Sequence, residues 1–341
     1  MAQAPSFPIV RSSDIGYGFT KYVVDADHRT GRIDCSAFQS LAPAAPRVEL
    51  TQGLSARHTT RVQVRDTIYE VGPDADILLG RHGVQRVLHD DYVGTDQYHA
   101  LLLGSLAQMG QSVIDYLILG LPVRLLEKKA ECLRELATGT HTFPDGPSVQ
   151  VQRVEVLAQP IGGLLDHLSR EQRNATTLER TFLLIDPGYY TLDWVVARGL
   201  TTRPELSSSV PCGVSVLLQS LAEAVGVANG AVYDNLTALD RGLRTGEFRY
   251  AGREYDLTQH LPAALDRLRA GVQQLHNSVG KGDDIDAVYL MGGGARFFEP
   301  LVREVLPDHR VLIVDDPSFS NVRGFQHAGW VLASQQRMRA A

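Results

Sequence analysis

Cysteine is scarce in this chain: three in 341 residues, Cys35, Cys132 and Cys212. They stand far apart, with no Cys-x-x-Cys pair and no metal-ligand spacing. That excludes a disulfide scaffold and a zinc centre, and it predicts reduced, mostly buried thiols of a cytoplasmic protein. Long hydrophobic runs are also missing. The most apolar stretches, "LLLGSLAQMG" and "IDYLILGLPV", are interrupted within about ten residues, where a bilayer span needs about 20. No signal peptide is expected, since "MAQAPSFPIV" has neither a basic start nor an apolar core. Positive charge is in deficit: 33 Lys and Arg against 39 Asp and Glu give a formal net charge of −6. Broad gripping of nucleic acid through phosphate neutralisation is thereby excluded. Neither G-x-x-x-x-G-K-[ST] nor G-x-G-x-x-G occurs, so the two common nucleotide folds have no support.

What is present is ordinary globular composition, 44% hydrophobic and 21% charged, over a length that allows two domains. Two stretches repeat one design. "SDIGYGFTKYVV", residues 13–24, reads as two strands joined by a turn with an acid before it and Thr20 and Lys21 after it. "LLIDPGYYTLDWVVARG", residues 183–199, again ends an apolar strand in Asp-x-Gly and returns through a Thr. Asp14, Gly16 and Thr20 thus correspond to Asp186, Gly188 and Thr191. One such turn needs no more than glycine's positive φ. Two copies in two halves predict a duplicated architecture, each half presenting a hairpin to a shared cleft.

Between the hairpins, residues 28–75 hold alternating β-formers ("RVELTQG", "HTTRVQVRDTIYEVG") and predict a small inserted sheet. Helical spacing over 95–110 follows, then a buried strand ending at Gly120 and Pro122, a helix stopped by Gly139, a hairpin with a Pro-Asp-Gly turn, and the helix "GGLLDHLSREQR". After the second hairpin come mostly helical residues 231–280, broken by the hairpin "GEFRYAGREYDL". The strand "DIDAVYLM" then runs into Gly292, Gly293 and Gly294 and a helix beginning at Ala295, and a last strand and a C-terminal helix close the chain. Strands and helices in this rhythm predict an α/β fold with helices covering mixed sheets.

The chemistry points to an anionic ligand. Bare backbone at Gly292–Gly294 before a helix suits a ligand lying on the chain and an anion at the helix N-terminus. Asp14 and Asp186 at strand ends suit Mg²⁺, which prefers oxygen and keeps waters between itself and carboxylates. The hairpin amides and the Thr20 and Thr191 hydroxyls could hold phosphates, with Lys21 as a point charge. Trp194 reads as core. His82, His89 and His99 are unevenly spaced on polar segments and predict surface residues, not a metal site.

In order and spacing these motifs resemble the actin/Hsp70/sugar-kinase superfamily. Within it they look like the bacterial plasmid-segregating actins, the ParM-like proteins, and especially the PRTRC-system protein D group. The phosphate-1 hairpin is residues 13–24, the phosphate-2 segment 183–199, the following helix "GVSVLLQSLAEAV", and the adenosine segment "VYLMGGGARFFEPLVREVLP". The resemblance covers nearly the whole chain and is weakest over 28–95. It implies duplicated RNase H-like domains around a nucleotide cleft: 1–165 with an insert at about 28–95, 166–318, and a C-terminal helix, 319–341, returning to the first domain. ATP or ADP with Mg²⁺ is implied as cofactor. The implied ligands are Gly16, Tyr17, Gly18, Thr20, Lys21, Gly188, Tyr189, Tyr190, Thr191, Gly292, Gly293, Gly294 and Ala295, with Asp14 and Asp186 on the metal through water. Gln159 in "VEVLAQPIGGLLDHL" matches the water-orienting position, where plasmid actins often carry Glu. A neutral amide can orient a water but cannot take its proton at neutral pH, so slow ATP hydrolysis is expected. Asp193 also matches the phosphate-2 pattern. The function implied is a cytoplasmic actin-like ATPase that polymerises into dynamic filaments and segregates plasmid DNA through a DNA-binding adaptor, touching DNA only indirectly and no membrane. A small-molecule kinase of the same superfamily and a non-polymerising ATP-dependent switch or chaperone remain the alternatives.

Overall fold

The structure, a computed structural model, describes residues 7–46, 57–79, 86–170 and 179–340. The chain divides into two compact units: Met1–Gly80, Arg86–Ala175 and Val314–Ala341 make one, and Thr176–Ile313 makes the other.

In the first unit the chain order is β1 (Val10–Ile15), β2 (Phe19–Asp27), β3 (Arg32–Gln39), α1 (Asp96–Gln108), β4 (Tyr116–Leu121), α2 (Leu126–Ala137), β5 (Val154–Ala158) and α3 (Gln159–Arg170). The strands form one sheet in the order β5-β4-β1-β2-β3. β1 pairs antiparallel with β2 and parallel with β4, and β4 pairs parallel with β5. All six residues of β1 and of β4 are buried, which explains why β1 survives as a central strand despite reading "VRSSDI". Its polar side chains are spent on neighbours. Ser13 Oγ donates to the Lys21 carbonyl (3.1 Å) and to Ser105 Oγ on α1 (3.2 Å). Ser12, on the opposite face by the two-residue period, donates to the Val322 carbonyl (2.7 Å) on the C-terminal helix Ser320–Ala340.

That helix lies on the same unit. Phe325, fully buried, packs with Val10, Tyr116 and Ile118. The segment expected as an insert at 28–95 is divided differently. Arg32–Gln39 is the edge strand of the main sheet, because it pairs with β2 along its length. Among the described residues, Thr60–Val64 and Thr67–Val71 make a separate two-stranded ladder. "RVELTQG", residues 47–53, lies outside the described residues.

The second unit runs β6 (Thr181–Pro187), β7 (Leu192–Arg198), α4 (Val214–Asn229), β8 (Ala287–Leu290), α5 (Ala295–Val305) and β9 (Val311–Ile313). β6 pairs antiparallel with β7 and parallel with β8, and β8 pairs parallel with β9. This is the plan of the first unit again: a buried first strand with its hairpin partner on one side and parallel strands on the other. Leu183, Ile185, Trp194 and Val196 point one way from the hairpin into a core with Leu217, Leu221 and Phe298. Trp194 is buried as expected, its indole N–H donating to the Leu206 carbonyl (3.0 Å). Among the described residues no helix is long and apolar enough to cross a membrane.

Candidate functional site

At the first hairpin two of the expected residues, Lys21 and Gln159, meet a third, the Asp14 carboxylate. Asp14 and Lys21 are direct cross-strand partners, so their side chains share a sheet face. Lys21 Nζ lies 3.5 Å from Asp14 Oδ2. Gln159, the first residue of α3, donates from Nε2 to Asp14 Oδ1 at 2.7 Å. β5 delivers it there, since α3 follows that strand without a break. Asp14 is thereby a buried carboxylate met by a cation on one oxygen and an amide on the other, and the Gln159 Oε1 is left as an acceptor able to hold a water.

Thr20 does not join them. It neighbours Lys21 along an extended strand and therefore faces the other way. Fully buried there, its hydroxyl bonds Ser40 Oγ (3.1 Å), and Ser40 Oγ donates to the Gly16 carbonyl (2.5 Å). Thr20 thus braces the turn from beneath. Tyr17 behaves similarly. It is buried, stacks on Tyr92 with ring centroids 4.6 Å apart and donates its hydroxyl to the His89 carbonyl (3.2 Å). Gly16 closes the turn with its N–H on the Phe19 carbonyl (3.1 Å), and the Gly18 carbonyl accepts from Ser40 N–H (2.9 Å).

The second hairpin has the same outline and opposite electrostatics. The residue facing Asp186 across the ladder is Asp193, not a lysine. Two buried carboxylates thus share one sheet face at this turn. The Gly188 N–H donates to the Thr191 carbonyl (2.8 Å), and Thr191 is buried at the turn.

Helix α4 is docked directly onto that turn. The N–H groups of Gly213, Val214 and Ser215 donate to the carbonyls of Tyr190 (2.9 Å), Gly188 (3.0 Å) and Tyr189 (2.7 Å). Three donors of a helix start are so satisfied by the hairpin. A Cβ at Gly213 would lie 2.5 Å from the Tyr189 carbonyl oxygen. In the sequence the signal for this close approach is the glycine that opens "GVSVLLQSLAEAV".

The glycines after β8 are used in three ways. Gly292 has φ +77°, and a Cβ there would overlap Asp186 Oδ1, so the carboxylate rests against bare backbone. Gly294 donates its N–H to the Pro187 carbonyl (2.9 Å), where a Cβ would be 2.7 Å from that oxygen. Gly293 alone of the three is exposed, and Ala295 is buried with its N–H on the Gly292 carbonyl (3.3 Å). His82 lies outside the described residues; among those described, no group of three or more His, Cys, Asp or Glu side chains is gathered to hold a metal. A magnesium site built from one or two carboxylates, waters and phosphate oxygens needs no such group, and the oxygen-only donors at Asp186 and Asp193 fit it.

Two family models match this chain. One, described as actin like proteins N terminal domain, covers residues 12–162; the other, described as archaeal actin homologue MreB-like, C-terminal, covers 184–304. Among solved structures, ParM in a 15-stranded filament from Clostridium botulinum is similar with a TM-score of 0.75 at 18% identity, over 95% of this chain and 99% of that one. An archaeal actin homologue gives 0.74 at 19% identity, over 96% of this chain and 99% of its own. The same homologue in complex with ADP gives 0.68 at 18%, over 94% and 98%. No curated protein sequence matches the chain. The structural likeness establishes the fold, and each family match takes in the turn of one of the two hairpins.

Proposed function

Since the chain belongs to the actin-like proteins, we propose that it is a slow ATPase that takes Mg·ATP on its two hairpins and the Gly292–Gly294 turn, and that it assembles with copies of itself. The observation that carries this reading is the 2.7 Å hydrogen bond from Gln159 to Asp14, which aims a neutral amide from the start of a helix at a hairpin carboxylate. In this role Lys21 supplies positive charge to the phosphates, and the backbone of Gly16–Gly18 and Gly188 follows them. Gly293 offers exposed backbone to the nucleoside. Asp186 and Asp193 would hold the metal, while the Asp14 carboxylate has Lys21 beside it. Mg²⁺, when bound, offsets the charge on the phosphate oxygens.

Gln159 then orients the attacking water through Oε1 while its Nε2 stays on Asp14. An amide does not accept the water's proton at neutral pH, so turnover is slow by construction. The similarity to a filament-forming ParM supports self-assembly as the output of the nucleotide cycle. Plasmid segregation through a DNA-bound adaptor is the cellular role that completes the proposal, since a net charge of −6 leaves the chain poorly suited to holding DNA itself.

The deciding experiment measures Mg-dependent ATP binding and phosphate release by the purified chain and by Asp14→Ala and Asp186→Ala. Both variants are expected to keep the wild-type circular dichroism and to lose turnover. Unchanged affinity and turnover in both would sink the proposal. Phosphoryl transfer to an added metabolite, with little release to water, would point to a kinase instead.

A further inference from the structure

Helix α3 begins at Gln159 and is held seven residues later by a buried ion pair. Seven residues bring the helix back to nearly the same face, so Asp166 lies below Gln159 on one stripe of α3. Its carboxylate receives the Arg323 guanidinium: Nε lies 3.0 Å from both Oδ1 and Oδ2, and Nη2 lies 2.8 Å from Oδ2. Arg323 stands on the C-terminal helix, and both side chains are more than nine-tenths buried. The rest of the fork is occupied as well. Nη1 donates to Asp316 Oδ2 (2.6 Å), and Nη2 donates to the carbonyls of Asp315 (3.0 Å) and Asp316 (3.1 Å). Asp316 has φ +44°, in the left-handed region that few residues besides glycine, asparagine and aspartate adopt.

Around this pair the two helices touch without cushioning. A Cβ on Gly324 would overlap the Gly162 carbonyl, and the Gly163 N–H donates to Asn321 Oδ1 (3.2 Å). A Cβ on Gly120, at the end of β4, would meet both the Phe325 ring (2.5 Å) and Gln159 Cγ (3.1 Å). Backbone against backbone leaves no soft side chain to absorb a shift of α3, so a displacement at Asp166 is carried to Gln159.

We propose that Arg323 is a positioning residue for hydrolysis: by gripping Asp166 it sets the placement of α3, and so holds the Gln159 amide on Asp14 with Oε1 free to take the attacking water. This rests on the ATPase reading above. On this reading Arg323 acts only through Gln159, since its guanidinium is taken up by Asp166, Asp315 and Asp316. A pair that served stability alone would leave Gln159 where it is.

The test uses the full chain carrying Arg323→Lys, which keeps the charge and loses the fork, with Asp166→Asn as a second variant should the first not fold. ATP affinity, turnover and the side-chain amide resonance of Gln159, identified by its loss in Gln159→Ala, are measured on each. Turnover is expected to fall about tenfold or more while ATP affinity changes less than about twofold, and the Gln159 resonance is expected to move. Combined with Gln159→Ala, Arg323→Lys should lower turnover no further than Gln159→Ala alone. Wild-type turnover in a folded variant, additive losses in the double variant, or a stationary Gln159 resonance would each overturn the proposal. If the wild-type chain releases no phosphate, the ATPase reading falls by itself, and the resonance still decides whether Arg323 places Gln159.

Discussion

Asp14 and Gln159 show how much the role of a residue depends on its partner. Asp14 stands opposite Lys21 across its ladder, whereas Asp186 stands opposite a second carboxylate, Asp193. On the proposed reading this divides the labour, with phosphate charge met at the first hairpin and metal charge at the second. Gln159→Ala is expected to lower turnover about 100-fold with ATP affinity nearly unchanged, because the amide matters only once the water is in place. Stopped-flow binding beside steady-state phosphate release separates the two quantities. The thiols give a second test at this scale. Burial pushes the Cys35 thiol up to about 12 and raises that of Cys212, so both stay protonated near pH 8, while Cys132 is exposed on α2. A disulfide-exchange reagent at about pH 8 should therefore titrate one thiol in the native chain and three in denaturant; rapid reaction of all three in the native chain would contradict it.

At the scale of elements, the hairpin Thr181–Arg198 acts as a platform on which α4 and the turn before α5 are seated. Both are seated through carbonyls of the turn, those of Pro187 to Tyr190, and both need glycine for the approach. Gly213→Ala would drive a methyl group into the Tyr189 carbonyl, and backbone cannot rotate away as a side chain can. A loss of about 1–3 kcal/mol is expected, visible as a fall of several degrees in the melting temperature. Gly292→Ala adds a second penalty, because it forces a side chain into positive φ and onto Asp186. It should lose Mg-dependent nucleotide affinity as well as stability, whereas Gly213→Ala should chiefly lose stability. Calorimetric titration of both with Mg·ADP would tell them apart.

For the whole molecule the prediction is that nucleotide state controls assembly. If ATP and a neighbouring copy favour the same conformation, each strengthens the other by the same factor. A coupling of about 1–3 kcal/mol per subunit shifts the critical concentration roughly 5- to 150-fold between ATP and ADP. Sedimentation in each nucleotide measures it: equal critical concentrations, or no pelletable polymer in any nucleotide, would leave the actin-like fold standing and remove filament dynamics from its function. Charge at this scale makes a further statement. At about 0.15 M salt the purified chain alone should not retard a DNA fragment, and a salt-sensitive shift would mean that it needs no adaptor.

The sequence by itself determined whatever depends on short-range rules. The two Asp-x-Gly hairpins, the strand ending in three glycines and the helices over 96–108 and 126–137 were all legible, because turn chemistry, glycine's φ freedom and a 3.6-residue period act over a few neighbours. Only the tertiary structure decided which side chains meet. Gln159 reaches Asp14 from 145 residues away, and Arg323 reaches Asp166 from 157. Thr20 turned inward because the ladder register put Lys21 on the face of Asp14, and Arg32–Gln39 joined the main sheet because β2 was there to pair with it. Register, facing and close backbone approach depend on how distant segments pack, and no local pattern of residues encodes that.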